Sequence, residues 1–427
     1  MSNTETNTLH YPSPDIRIVQ LDVMRGAAVL GIYWINVMVA ALPHSAYLIP
    51  VLLGDATTAN NMVWAFSEVF VDGTMRGLFS MLFGASAMLF LDESRLAGKG
   101  LEVVDRYYRR SLLLMLFGML HAWLLLWPND VLYAYGLFGL FLFPLRKLAP
   151  QVLLVLGLVL LALGDMGVAE IQPAADPAAS VSTQLNKAPD LTDSGLSQTI
   201  ANQMDETIST FRAGYWRIFD YQKQQVVEQQ STNIYNSHFF DIGGMMLIGM
   251  ALFRLGILIG RRTRSFYLQM TVMAYLCGML FRGPETLEAF DYGFKMTRLL
   301  GHEGETYNIG RLAMGLGHIG LICLLCQTVL FEPVARMLAA VGRLALSNYI
   351  MQSILSMFIF YGFGLGLYGQ LERYQLLFIC LAVWVVQIIF SLVWLKHFHY
   401  GPLEWLWRSL IYGRKQRFLR VSLTDNG

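Results

Sequence analysis

The chain has 427 residues, of which 55% are hydrophobic and 14% charged, with a mean hydropathy of +0.46. A soluble domain is nearer a quarter charged, so the composition excludes an ordinary soluble domain and indicates an all-α, polytopic membrane helix bundle. The net charge of +1 gives no reason to expect nucleic acid as a partner; the distribution of charge along the chain is the informative part.

The polar start MSNTETNTLHYPSPD carries neither a basic n-region nor a small-residue cleavage site. Residues 1–17 are therefore expected to form a disordered cytoplasmic N-terminus, with the first span as the insertion signal. That span, about 19–42, opens with Asp22 and Arg25, three residues apart and so on one helix face. Asn36 lies near its far end, and His44 follows the helix-ending Pro43. Polar groups in a span are costly enough to be read as functional by default. A short helix over 58–71 leads to a second span at 74–91, with a break expected at Gly73. Spans at 109–127 and 131–145 flank the turn Pro128-Asn129-Asp130, and a fifth covers 150–168. These make a first five-span half, 18–168.

Residues 169–236 change composition and form an extracytoplasmic polar insertion. Within it Ile200, Met204, Ile208, Phe211, Tyr215, Ile218 and Phe219 recur at helical spacing. They predict an amphipathic helix lying on the membrane or capping the bundle. A second half, 237–413, holds spans at 237–256, 265–281, 308–328, 335–362 and 374–396, then an amphipathic tail. Residues 414–427 form a basic polar C-terminus. With about ten transmembrane helices, the Arg- and Lys-rich loops at 92–110, 146–147 and 254–264 and the tail all fall on one side. That side is expected to be cytoplasmic in a bacterial inner membrane, with both termini on it.

Cys277, Cys323, Cys326 and Cys380 all fall in spans and read as apolar packing, so neither a disulfide framework nor a metal is expected. The polar residues of the spans sort by depth. Asp22, Arg25, Arg343 and Asn348 belong to the cytoplasmic end. His121, His318 and Gln352 fall near mid-membrane, and Asn36, His44, Asp72, Arg76 and Asp130 at the outer end. Such a ladder implies a hydrated or ligand-filled path; helix-packing hydrogen bonds are the alternative, and explain Asn348 and Gln352 readily. A buried histidine near a carboxylate, as His121 near Asp130, suits a general base.

The segments LDVMRGAAVLGI, GLFSMLFGAS, HAWLLLWPNDVLYAYG, GGMMLIGMALFRLG, VGRLALSNYIMQS and GPLEWLWR together resemble the YeiB family of bacterial inner-membrane proteins, of the DUF418 type. The likeness runs from Ile18 to about Gly413 and conveys little function. A more distant likeness is to membrane-embedded acyltransferases, which include heparan-α-glucosaminide N-acetyltransferase and bacterial polysaccharide O-acyltransferases. Their first span also begins with an acid, an arginine and a small residue, here Asp22, Arg25 and Gly26. In the bacterial enzymes a catalytic histidine stands about where Asn36 stands. In the heparan enzyme an asparagine-like residue is there and a histidine beyond the span acts, a place comparable to His44.

The resemblance implies acyl transfer across the membrane. Acyl-CoA would be the donor, its phosphates near Arg25 and Arg343 and its pantetheine passing His318 and Gln352. His44 or His121 would be the base, and Asn36 or Arg76 would stabilise the oxyanion. A transporter of a small polar metabolite, with Asp72, His121 and Asp130 as relay, is the competing class. A non-catalytic assembly or sensing protein using 169–236 is the third. Membrane lipid and a small-molecule substrate are the expected partners, and oligomerisation stays open.

Overall fold

The computed structural model describes residues 18–48, 50, 57–91, 100–165, 193–231, 234, 239–291 and 307–420. The expectations for 1–17, for 169–192 of the insertion and for the last residues from 421 lie outside the described residues.

Helix α1, Val19–Ala41, is the axis of the bundle. Residues on all of its faces are buried, Asp22 among them, which is why its sequence lacks a polar face. It stops where Leu42 turns extended, as expected of a residue before proline. A single turn, α2 (His44–Leu48), follows. Helix α3, Thr58–Phe66, starts on the Thr57 side chain, which accepts from the Asn60 amide, and runs on as a π-helical turn over Ser67–Val71. The expected break at Gly73 is present: its φ is +63°, a left-handed value that a side chain would strain. Helix α4, Thr74–Phe90, then resumes.

Next come α5 (Gly100–Leu124), α6 (Val131–Leu145) and α7 (Pro150–Asp165). The amphipathic stretch forms two helices, α8 (Asp193–Phe211) and α9 (Tyr215–Glu228), parted at Gly214. They cap the bundle. Phe211 stacks on Tyr368 at 4.3 Å, and its carbonyl accepts from the Gly362 amide at 2.9 Å.

The second half contains α10 (Phe239–Arg254), α11 (Arg264–Asp291) and α12 (Tyr307–Leu325). The single helix expected over 335–362 is instead two, α13 (Glu332–Arg343) and α14 (Ala345–Phe360), broken at Leu344. Helix α15 spans Arg373–His397, and the tail helix α16 spans Pro402–Tyr412. The basic C-terminus turns back on the bundle: the His399 amide donates to the Phe418 carbonyl, and Phe418 lies between Phe398 and Trp405.

Among the described residues the architecture is helical, with a lone β-bridge between Phe398 and Leu419. Among the described residues three helices, α1, α12 and α15, are long and apolar enough to cross a membrane, and α6, α7 and α14 are shorter and apolar. Rows of large apolar side chains also face outward. On α15 these are Phe378, Leu381, Val385 and Ile389, and on α11 Leu268, Val272, Leu276 and Met279. Exposed apolar stripes of that length suit a lipid environment. The apolar helices and outward apolar faces mark a membrane protein.

Helix α1 packs on α4, α12, α13, α14 and α15. Its tightest crossing is with α13: a Cβ on Gly26 would lie 1.9 Å from the Leu338 carbonyl oxygen, and one on Gly342 2.0 Å from that of Asp22. Helices α4 and α10 cross in the same way, through Gly84 against the Met246 carbonyl and Gly249 against that of Met81. The glycines of four of the signature segments are thus the places where backbones touch, the use membrane bundles make of small residues.

Candidate functional site

The turn after α5 brings Asp130 to the start of α6, where it caps the helix: its Oδ2 accepts from the Tyr133 amide at 2.8 Å. Its other oxygen, Oδ1, lies 2.7 Å from His121 Nδ1. On the far side of the ring, His121 Nε2 lies 2.8 Å from the Ser353 hydroxyl of α14. The His121 and Asp130 side chains are 0% and 1% exposed, so nothing but protein surrounds this contact. Tyr349, one turn before Ser353, stands edge-on to the imidazole at 5.0 Å.

With Asp130 ionised and the imidazole neutral, the carboxylate can only accept, Nδ1 carries the ring proton and Nε2 accepts from Ser353 O–H. A hydroxyl on a base that is itself oriented by a third group is the arrangement of an activated nucleophile. His121 and Asp130 stand out in the sequence, whereas Ser353 and Tyr349 do not. Their signal is faint, two polar residues one turn apart on an apolar helix.

The other residues singled out in the sequence go to several places. Gln352 donates to the Val29 carbonyl and to Gln387 Oε1, both at 3.1 Å; Gln387 donates to the Asn348 carbonyl at 2.8 Å. Asn348 in turn donates to the Val341 carbonyl and to Ser391. Asn348 and Gln352 are thus rungs of an amide ladder binding α1, α14 and α15. His318 is engaged at both nitrogens, Nε2 donating to the Phe70 carbonyl at 3.0 Å and Nδ1 facing the Tyr275 hydroxyl at 2.9 Å. It ties α12 to α11 and to the π-helical turn, whereas Gln352 belongs to a different set of helices.

Arg25 bonds Asp22 at 3.0 Å and Ser86 at 3.1 Å. Arg343, at the end of α13, donates to the His399 carbonyl at 3.5 Å. Asn36 is half-buried on α1. His44 is exposed at the start of α2, its ring 6.4 Å from that of Tyr47.

Asp72 and Arg76 belong to a second polar cluster around the break at Gly73. Asp72 accepts from the Tyr47 hydroxyl at 3.0 Å and the Tyr307 hydroxyl at 3.3 Å. Arg76 pairs with Asp241 at 2.8 Å, and Arg311 bonds both Asp241 and Asn308. Arg282 pairs with Glu68 at 2.5 Å and Glu285 at 3.3 Å. The guanidinium groups of Arg282 and Arg311 lie 4.8 and 4.9 Å from the Tyr307 ring centre. Arg373 borders the cluster, donating to the Ala46 and Tyr47 carbonyls.

Sequence analysis missed Glu68, Asp241, Arg282, Tyr307, Arg311 and Arg373, because their partners lie up to several hundred residues away and no local pattern joins them. Between the two clusters stands Tyr135, whose hydroxyl bonds Ser80 at 2.8 Å and lies in the field of Arg76, Asp241 and Arg311, and within electrostatic reach of Tyr349. Among the described residues no group of three or more His, Cys, Asp and Glu side chains is placed to hold a metal ion.

Residues 252–414 match the family described as "Protein of unknown function (DUF418)". Over 405 residues the chain is 30% identical to the YeiB protein of Escherichia coli K12, covering 92% of this chain and 96% of the relative. It is also 30% identical over 415 residues to the YxaH protein of Bacillus subtilis 168, covering 93% and 94%. A 39.9 kDa protein from the amylase 3' region of Bacillus acidopullulyticus is 27% identical over 403 residues, covering 94% and 95%. No solved structure matches. With this identity held over nearly the full length of both chains, the protein belongs to the YeiB family, of the DUF418 type.

Proposed function

We propose that this protein is an acyltransferase of the bacterial inner membrane that carries an acyl group from cytoplasmic acyl-CoA to an acceptor hydroxyl or amine on the outer side. The observation that carries this reading is the buried Ser353–His121–Asp130 relay. In the first step Ser353 Oγ attacks the thioester carbonyl carbon while its proton passes to His121 Nε2. The carbon–sulfur bond breaks, and the CoA sulfur leaves with that proton as the thiol. In the second step the acceptor gives its proton to Nε2 and attacks the Ser353 ester, and Oγ leaves and takes the proton back. Asp130 stabilises the imidazolium formed in both steps.

Arg25 and Arg343 are the phosphate-binding candidates by charge. Asn36, His44 and Arg76 are the remaining candidates for the outer end, as oxyanion donors or as a base toward the acceptor. The reading includes ten crossings with both termini cytoplasmic, which the Arg and Lys bias of the loops supports.

The test is incubation of the purified protein with acetyl-CoA labelled in the acetyl group, without acceptor. Label should become protein-bound and be released by hydroxylamine, and Ser353→Ala should abolish it. Absence of bound label from folded protein, with acetyl-CoA and longer acyl-CoAs alike, would remove this reading. The second reading is transport of a small polar metabolite, favoured by the break of α3–α4 at Gly73 against buried charges. Uptake into proteoliposomes tests it.

A further inference from the structure

The cluster at Gly73 contains donors with nothing to donate to. Arg311 is 1% exposed, yet among the described residues its Nε and one of its terminal nitrogens, Nη1, have no acceptor. Among the same described residues Arg282, 3% exposed, has no acceptor for Nε, and the buried Thr74 hydroxyl has no partner. Leaving a buried donor unmade costs about 1–3 kcal/mol, more when it is charged, and such groups call for an occupant. They converge. The place a Cβ would take on Gly73 is 2.3 Å from the Tyr307 hydroxyl and 3.0 Å from Arg311 Cδ. Thr74 is the first residue of α4, whose N-terminus has no side-chain cap. The Thr74 amide donates to the Asp72 carbonyl at 2.6 Å, so the pull of this helix start on an anion comes from the amides that follow it.

One acid in the same place has no cation in direct contact, although Arg76 and Arg282 lie within electrostatic reach of it. Asp72 is held by two tyrosine hydroxyls, and among the described residues no basic group lies within ion-pair distance of it. Counted as formal charges among the described residues, the guanidiniums of Arg76, Arg282, Arg311 and Arg373 match the carboxylates of Glu68, Asp72, Asp241 and Glu285. A simple anion or a simple cation would upset that balance inside a low-dielectric bundle. A ligand bearing one charge of each sign would not.

We propose that the break at Gly73 binds a zwitterion, an ammonium and an oxyanion a few ångströms apart. The oxyanion lies against Arg311, Arg282 and the start of α4, and the ammonium on Asp72. A free α-amino acid and the head group of phosphatidylethanolamine both carry this chemistry. Entry is beside Arg76 and Glu285, whose side chains are 32% and 28% exposed. The inference is independent of acyl transfer at Ser353 and is tested without it.

Full-length protein is reconstituted in nanodiscs of phosphatidylglycerol or of phosphatidylethanolamine, and its thermal shift is titrated with each of the twenty L-amino acids. In phosphatidylglycerol at least one amino acid should bind saturably. Its N-acetyl and amide derivatives, each lacking one charge, should bind at least tenfold more weakly. Asp72→Asn and Arg311→Lys should each weaken binding at least tenfold, and the milder Thr74→Ala severalfold, which keeps the test open should either charge variant fail to fold. If the occupant is the lipid, native mass spectrometry should find phosphatidylethanolamine retained over phosphatidylglycerol in the wild type and lost in Asp72→Asn. Either result supports the site. No binding by any amino acid together with no lipid preference overturns it, as does acetate or methylammonium competing as well as the zwitterion.

Discussion

Asp130 divides its two oxygens between a structural and a chemical task, capping α6 through Tyr133 and orienting His121. The substitution Asp130→Asn separates them. An asparagine still caps a helix, so the melting temperature should stay within a few degrees of wild type. Its amide would turn the imidazole to the tautomer with the proton on Nε2, which can no longer accept from Ser353. Acyl transfer should then fall by about 10³–10⁴-fold, the size seen when a triad carboxylate is neutralised. A loss of folded protein instead of rate, followed by circular dichroism beside the transfer assay, would return Asp130 to a purely structural role. At this scale the sequence was half legible. A histidine and an aspartate beside a Pro-Asn turn stand out in an apolar stretch, whereas Ser353 is one small hydroxyl among several on α14 and gains meaning only from what faces it.

Among elements, the crossing of α1 and α13 explains the glycines of the DVMRGA and VGRLALS segments. In Gly26→Ala or Gly342→Ala the new methyl would meet a backbone carbonyl at 1.9 or 2.0 Å, and backbone yields less readily than a side chain. Each should cost about 1–3 kcal/mol, read as a lower melting temperature in detergent, with the double variant less than additive because both relieve the same contact. The tail makes a second case. Glu404 of α16 accepts from the Ser347 amide at 3.0 Å and the Ser347 hydroxyl at 2.5 Å, closing the first turn of α14 from another element. Burial raises the Glu404 carboxyl above the usual carboxylate value, although the bonds from Ser347 pull it back.

A raised acid binds its proton more tightly folded than unfolded. Its contribution is therefore full below the ordinary carboxylate range and lost as pH rises through the raised value. Tail protection in hydrogen exchange should be greater at pH 4 than at pH 8, and Glu404→Gln should flatten that difference; an unchanged profile in the variant would mean other groups set it. Breaks were unequally legible too. Gly73 announces itself as a glycine between polar residues, whereas the glycine before Leu344, Gly342, reads as one more small packing residue in a long apolar stretch, so α13 and α14 read as one helix.

For the molecule as a whole, the loop charges assign sides that labelling can check. Cysteines placed at Asn202 on α8 and at Lys415 in the tail, in a background lacking the native cysteines, should react with an impermeant maleimide from opposite sides of the membrane. Reaction of both from one side would refute the ten-span count. The helical class and most of the helices were readable from apolar runs, and periodicity marked the stretch of α8 and α9 as amphipathic while leaving open whether it lies on the membrane or caps the bundle. The charge cluster at Gly73 was not, since Glu68 and Arg282, or Arg76 and Asp241, meet only after the two halves have packed.

The contact of Gly26 with Leu338 and of Gly342 with Asp22 bears on motion as well as on stability. Two backbones that already touch leave little room to slide, so a rearrangement that moves α1 should carry α13 with it. The chain beyond that pair bends at Leu344, the N-cap of the helix that holds Ser353, and α1's partner α4 begins at the Gly73 bend inside the charge cluster. A shift of the α1–α13 pair would therefore be felt first at the starts of the two helices that carry those groups.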